Sequence, residues 1–118
     1  MDVDAVKAYC LGLQGATELL HAPPVNVLSM KVGGKTFAYF KTSEPERWRF
    51  SFRVTPDRFL ELTGMPSVKP ARYMARYHWV TVVEVHRFPA DYLAELVTWS
   101  YHKALSSLSK AQQRVIAG

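Results

Sequence analysis

The sequence is short of cysteine, glycine and acidic residues, and each shortage excludes something. A single cysteine, Cys10, rules out an intramolecular disulfide and a cysteine-based zinc site. The six glycines contain no phosphate-binding loop. Gly34-Lys35-Thr36 has the ending of one, but Ser29 stands where its first glycine belongs, and Phe37 to Phe40 reads as strand instead of helix. The ten acidic residues form no ligand cluster, and the four histidines include no HxH or HxxxH pair. His78 and His86 share a strand face but lie about 26 Å apart at β-strand rise, too far to share a metal. No apolar run approaches the ~18–20 residues of a membrane span. The start, Met-Asp-Val-Asp-Ala-Val-Lys, is acidic and lacks the basic start and apolar run of a signal peptide. The expectation is a cytoplasmic protein with no metal, no cofactor and no membrane contact. No Ser-His-Asp or paired-carboxylate arrangement stands out, so no enzyme is expected and no catalytic residue is nominated.

What is present is an ordinary globular composition with an uneven charge. The 118 residues suit one domain, 1–118, and 48% hydrophobic against 21% charged residues supports a real core. The net charge of +5 is concentrated in residues 31–87, where eleven basic residues face five acidic ones. A positive field of this kind favours anionic partners such as nucleic acid.

Periodicity orders the elements. Residues 2–13 read as a helix with Val3, Val6, Cys10 and Leu13 on one stripe, and Thr17 to His21 as a short strand. Asn26 to Val32 alternates, and Gly33-Gly34 signals a two-residue hairpin turn. That turn pairs Met30 with Phe37, Leu28 with Tyr39, and Lys31 with Thr36 on the opposite face. From Arg47 to Val54, Trp48, Phe50, Phe52 and Val54 point to the core, while Arg47, Arg49, Ser51 and Arg53 form an outward row. Arginines are costly to bury unpaired, so that row faces solvent or a partner.

Thr55 and Pro56 open a short helix that ends before Gly64, and Met65 to Pro70 reads as a loop. Tyr77 to Val85 reads as a strand with Tyr77 and Trp79 on one face and His78 and Val80 on the other; either face suits burial. Pro89 opens a last helix with a stripe of Leu93, Leu96, Val97, Ser100, Ala104 and Leu108, and the tail after Lys110 is expected to fray. The sum is α+β, a two-layer sandwich of an antiparallel sheet covered on one face by helices.

The segment Lys69-Pro-Ala-Arg-Tyr-Met-Ala-Arg-Tyr-His-Trp-Val-Thr-Val82 mixes cations with large aromatics, which suits phosphates, stacked bases or a protein surface. Together with Cys10-Leu-Gly-Leu-Gln-Gly-Ala-Thr-Glu and Lys31-Val-Gly-Gly-Lys-Thr-Phe-Ala, it resembles the MmcQ/YjbR-like family of small bacterial proteins over roughly residues 3–108. The resemblance implies a sandwich similar to the frataxin-like fold and a DNA-binding role. This chain departs from the family run, with Met74-Ala75-Arg76-Tyr77 where an amide-bearing Met-Asn-Lys is frequent.

The first expectation is therefore a non-enzymatic DNA-binding protein using Lys31, Arg47, Arg49, Arg53, Lys69, Arg72 and Arg76, with Tyr77 and Trp79 as stacking groups. The alternative is a binding module for a protein, a second copy of the chain, or an anionic small molecule. There Tyr73, Tyr77 and Trp79 make the contact and the arginines clamp a carboxylate or phosphate. Arginines tied up by Glu44, Glu46, Glu61 and Glu84 would count against DNA.

Overall fold

Asp2 starts the chain's first element: its carboxylate accepts the Ala5 N–H at 2.8 Å and caps α1 (Val3–Gly12). A computed structural model describes all residues from Met1 to Gly118. Strands β1 (Ala16–His21), β2 (Val27–Val32), β3 (Lys35–Lys41) and β4 (Phe50–Arg53) follow as an antiparallel meander. Thr55 then caps α2 (Pro56–Thr63) by accepting the Arg58 N–H at 3.2 Å. Strand β5 (Val68–Pro70) lies at the far edge, and β6 (Trp79–Val82) returns between it and β4. Helices α3 (Ala90–Ser106) and α4 (Lys110–Ala117) complete the chain. The six strands run in the order β1-β2-β3-β4-β6-β5 with every neighbouring pair antiparallel. The fold is α+β, as expected. No helix is long and apolar enough to cross a membrane.

The alternation of the strands divides the sheet into two faces. On the helix side Met30, Phe40, Phe50, Phe52, Val80 and Val82 pack against Val6 and Cys10 of α1 and Leu93, Val97 and Tyr101 of α3. Cys10 is fully enclosed there, and burial pushes its thiol up to about 12. Ser100 ties helix to sheet. Its hydroxyl donates to the Phe37 carbonyl at 2.6 Å and accepts the Arg53 N–H at 3.1 Å.

Several sequence expectations are corrected. The β2–β3 hairpin pairs Met30 with Ala38 and Leu28 with Phe40, because a bulge at Phe37 adds one residue beyond the expected register; Lys31 does face Thr36. The bulge lets Phe37 and Ala38 both be buried. The strand expected from Arg47 is regular only from Phe50. Trp48 adopts φ 68°, so Arg47 and Arg49 belong to the preceding turn and the outward arginine row is broken. Residues 68–70 form a strand where a loop was expected, which makes the 69–82 segment most of a hairpin. Within it Tyr77 closes a single 3₁₀ turn.

The tail after Lys110, expected to fray, forms a helix. Ser109 opens α4 with a capping box, its hydroxyl accepting the Gln112 N–H at 3.1 Å and its own N–H donating to the Gln112 side chain at 3.2 Å. Ile116 of this helix lies against Gly15 and Gly33. A Cβ on Gly33, which has φ +54°, would sit 2.5 Å from Leu108 Cδ1, so the hairpin turn is bare because the α3–α4 connection and α4 close over it.

Candidate functional site

The face of the sheet away from the helices carries a bowl of about 740 Å³. Its floor follows from strand register. Ser29 opposes Tyr39, Tyr39 opposes Ser51, Ser51 opposes Thr81, and Thr81 opposes Lys69, so one row crosses five strands. Small hydroxyl residues in that row leave room above the sheet. Ser51 and Thr81 bond to each other at 2.7 Å between oxygens, and Ser29 and Ser51 are buried.

The wall is aromatic. Trp79, opposite Arg53 in the next row, leans toward Tyr39 with ring centroids 5.8 Å apart and an interplanar angle of 31°. The indole is only 7% exposed, which settles the orientation of β6: Trp79 and Thr81 face the bowl, Val80 and Val82 the core.

Three loops raise the rim. The β1–β2 and β3–β4 loops rise at the end of the strands marked by His21, Val27 and Lys41; the β5–β6 loop rises at the opposite end, beside Arg53. They contribute Val25, then Glu46 and Arg49, then Arg72, Tyr73 and Met74. The β5–β6 loop arches over the face far enough that the Arg72 guanidinium lies 3.6 Å from the Glu46 carboxylate. Arg49 meets the same carboxylate oxygen at 3.4 Å. Lys41 secures the β1–β2 loop by donating to the Val25 carbonyl at 3.3 Å.

Every non-glycine residue with positive φ lies in these three loops: Asn26, Trp48, Tyr73 and His78, with φ of 54°, 68°, 68° and 66°. For bulky aromatics such values are strained, and strain of this kind gathers at functional sites. Tyr73 shows its ring almost wholly to solvent, at 89% exposure.

Of the residues nominated from sequence, the bowl gathers Arg49, Lys69, Arg72, Tyr73 and Trp79. It leaves out Lys31, Arg47, Arg53, Arg76 and Tyr77. Arg47 pairs with Glu44 at 3.7 Å, and the Arg76 guanidinium lies 4.8 Å from the centre of the Tyr77 ring. Sequence reasoning missed Tyr39, Lys41, Glu46, His21 and the serine-threonine floor. Ser29 was legible as a position on the face opposite Leu28 and Met30, whereas the expected register put Tyr39 and Lys41 on the apolar face, and the floor emerges only when β6 is placed beside β4.

Full charges around the bowl are four cations, Lys41, Arg49, Lys69 and Arg72, against one carboxylate, Glu46. Burial raises the pKa values of Cys10, Tyr92 and Tyr101, which lie outside the bowl. No three histidine, cysteine or acidic side chains sit together as a metal site. The arrangement can hold an anion beside a flat apolar group, with hydroxyls below.

Comparison with known proteins reaches the same region. The chain is 26% identical over 117 residues to an uncharacterized protein, YjbR, of Escherichia coli K12, covering 98% of both chains, and equally similar to that of strain O157:H7. The crystal structure of Deinococcus radiodurans protein DR2400, a DUF419 domain, superposes with a TM-score of 0.82 at 28% identity, covering 98% of this chain and 88% of that one. A YjbR family profile matches residues 11–103, a span that contains the whole bowl and stops before α4. With most of its length and its entire sheet inside that match, the chain belongs to the YjbR family.

Proposed function

We propose that this protein is a non-catalytic binding module that takes an anionic ligand with a flat apolar part into the bowl on the open face of its sheet. One observation carries the reading: four cations and one carboxylate surround the Tyr39–Trp79 wall in a single concavity of about 740 Å³. That size falls within the ~300–1,000 Å³ of small-molecule sites, and an apolar wall with a few convergent polar groups is their usual composition. Binding without chemistry fits the residues present. Glu46, the one carboxylate, is engaged by two guanidinium groups, and Cys10 is sealed on the other side of the sheet.

Duplex DNA is the second reading, and the +5 charge favours it, as do Lys31 and Arg53, which have no carboxylate partner. Three of the nominated arginines support it less, since Arg47 pairs with Glu44 and Arg49 and Arg72 share Glu46. A bowl rimmed by three loops also suits a small molecule better than a rod-like duplex.

Calorimetric titration with 1-naphthyl phosphate, 2-naphthoate and neutral 1-naphthol tests the proposal. The two anions are expected to bind saturably and more tightly than 1-naphthol, and Lys41→Gln/Arg49→Gln is expected to lose that preference. No binding of either anion, together with retardation of duplex DNA and a log K against log salt slope of about −4 to −5, would replace this reading with the second.

A further inference from the structure

Glu46 sits where a bound anion would. Its Oε2 lies 3.4 Å from an Nη of Arg49 and 3.6 Å from an Nη of Arg72. The two arginines come from opposite ends of the face, Arg49 just before β4 and Arg72 just after β5, and they converge on this one oxygen. Both distances exceed the ~2.7–2.9 Å of a good charge-assisted hydrogen bond. Each guanidinium offers five N–H donors in a fork suited to two acceptor oxygens, and a single shared oxygen leaves most of them unused. Lys41 and Lys69 add two cations to the same bowl without a carboxylate of their own. Lys41 adjoins Arg49 across the β3–β4 pairing, where the Lys41 N–H donates to the Arg49 carbonyl at 3.0 Å. Glu46 is thus a loose and incomplete match to a cluster that can coordinate a fuller anion.

The loops that carry these groups are also the strained ones. Trp48 lies two residues after Glu46, and Tyr73 follows Arg72, both at φ 68°. The Arg72–Glu46 contact ties the two loops across the mouth of the bowl, and at 70% exposure of Arg72 it is a weak tie.

We propose that the space between Arg49 and Arg72 is the anion subsite of the bowl, and that Glu46 fills it as an internal stand-in that a ligand carboxylate or phosphate displaces. The inference rests on the binding reading above and sharpens the ligand: a flat ring laid against Tyr39 and Trp79, bearing one carboxylate or phosphate that reaches both arginines. Displacement exchanges the direct Arg72–Glu46 tie for one made through the anion, so entry of the anion and release of Glu46 are one event. Glu46 then sets a threshold, since only a group that outbids its carboxylate for the two arginines binds.

The test titrates 1-naphthyl phosphate and neutral 1-naphthol into wild type, Glu46→Gln, Glu46→Ala and Arg72→Gln, each checked for an intact fold by its thermal melt. Both Glu46 variants are expected to bind the phosphate more tightly, by between about 2-fold and 30-fold, the equivalent of releasing two partly exposed ion pairs. Their affinity for 1-naphthol is expected to stay at the wild-type value, and Arg72→Gln to weaken the phosphate alone. Equal or weaker phosphate binding by the Glu46 variants overturns the stand-in role while leaving the bowl as a binding site. Equal tightening of phosphate and naphthol also overturns it, because the effect is then a wider mouth instead of a freed charge. Absence of phosphate binding by wild type and both Glu46 variants overturns the bowl reading and this inference together.

Discussion

Replacing Trp79 tests whether the wall of the bowl is a packed part of the fold. The indole is 7% exposed and lies 5.8 Å from the Tyr39 ring, tilted by 31°, beside the hydroxyl floor of the bowl. Truncating a buried tryptophan to alanine costs about 3–5 kcal/mol. Trp79 faces the bowl instead of the helix-covered core, so water fills part of the space it leaves, and the lower end, about 3 kcal/mol, is expected. With a urea slope of ~1–3 kcal/mol per molar, the midpoint for Trp79→Ala falls by about 1–3 M. Trp79→Phe keeps a ring against Tyr39 and is expected to cost no more than about 1.5 kcal/mol, so it remains folded at working temperature. Calorimetry on that variant is expected to show weaker 1-naphthyl phosphate binding, because the smaller ring shortens the wall. A midpoint change below about 0.3 M for Trp79→Ala, less than 1 kcal/mol on the same slope, would refute the packing argument. Unchanged phosphate binding by Trp79→Phe would refute the role of the wall.

Three further perturbations probe the frame that holds the bowl. Ser100→Ala leaves the Arg53 N–H and the Phe37 carbonyl without their buried partner and is expected to cost about 2–4 kcal/mol by urea denaturation; a loss under ~1 kcal/mol would show that the bridge is dispensable. Gly33→Ala adds strain at φ +54° and a contact with Leu108, for an expected ~1–3 kcal/mol. Adding Leu108→Ala is expected to recover part of that loss, and strict additivity in the double-mutant cycle would refute the contact. Cys10, raised from about 9.0 to about 12, holds its proton longer in the folded state, so its contribution is intact below pH 9 and fades as pH rises from there toward 12. At pH 10 the loss is roughly 1.4 kcal/mol, and Cys10→Ala is expected to flatten this part of the pH–stability curve, an outcome that an unchanged curve would exclude.

Much of the fold was readable because it rests on local periodicity. The β4 core positions Phe50 and Phe52, the Thr55 cap, the hairpin turn at Gly33-Gly34 and the stripe of α3 all follow from near-neighbour patterns and lie where those patterns put them. Two of the misreadings share one kind of cause, a single backbone residue whose effect spreads. The bulge at Phe37 moves the hairpin register by one, and positive φ at Trp48 takes Arg47 and Arg49 out of the strand while Phe50 onward keeps its alternation. Neither event changes which residue types alternate, so hydrophobic patterning carries no trace of it. The missed β5 is three residues long and held by pairing with β6 and burial of Val68, a stabilisation that a window along the chain does not see.

The candidate site was half legible for a different reason. Counting cations along residues 31–87 finds the material of a positive surface but says nothing of which carboxylates sit among them. Sequence alone leaves Glu46 as one of four carboxylates able to tie up an arginine, and the arch of the β5–β6 loop brings Arg72 to it from the far end of the sheet. That contact turns a scattered set of arginines into a bounded cluster with a resident acid. It also explains why the 69–82 segment, basic and aromatic throughout, divides in space: Lys69, Arg72, Tyr73 and Trp79 turn into the bowl, while Arg76 and Tyr77 stack on each other outside it. On the proposed reading, affinity for anions is governed by how firmly one internal carboxylate holds two arginines, a quantity that net charge does not measure.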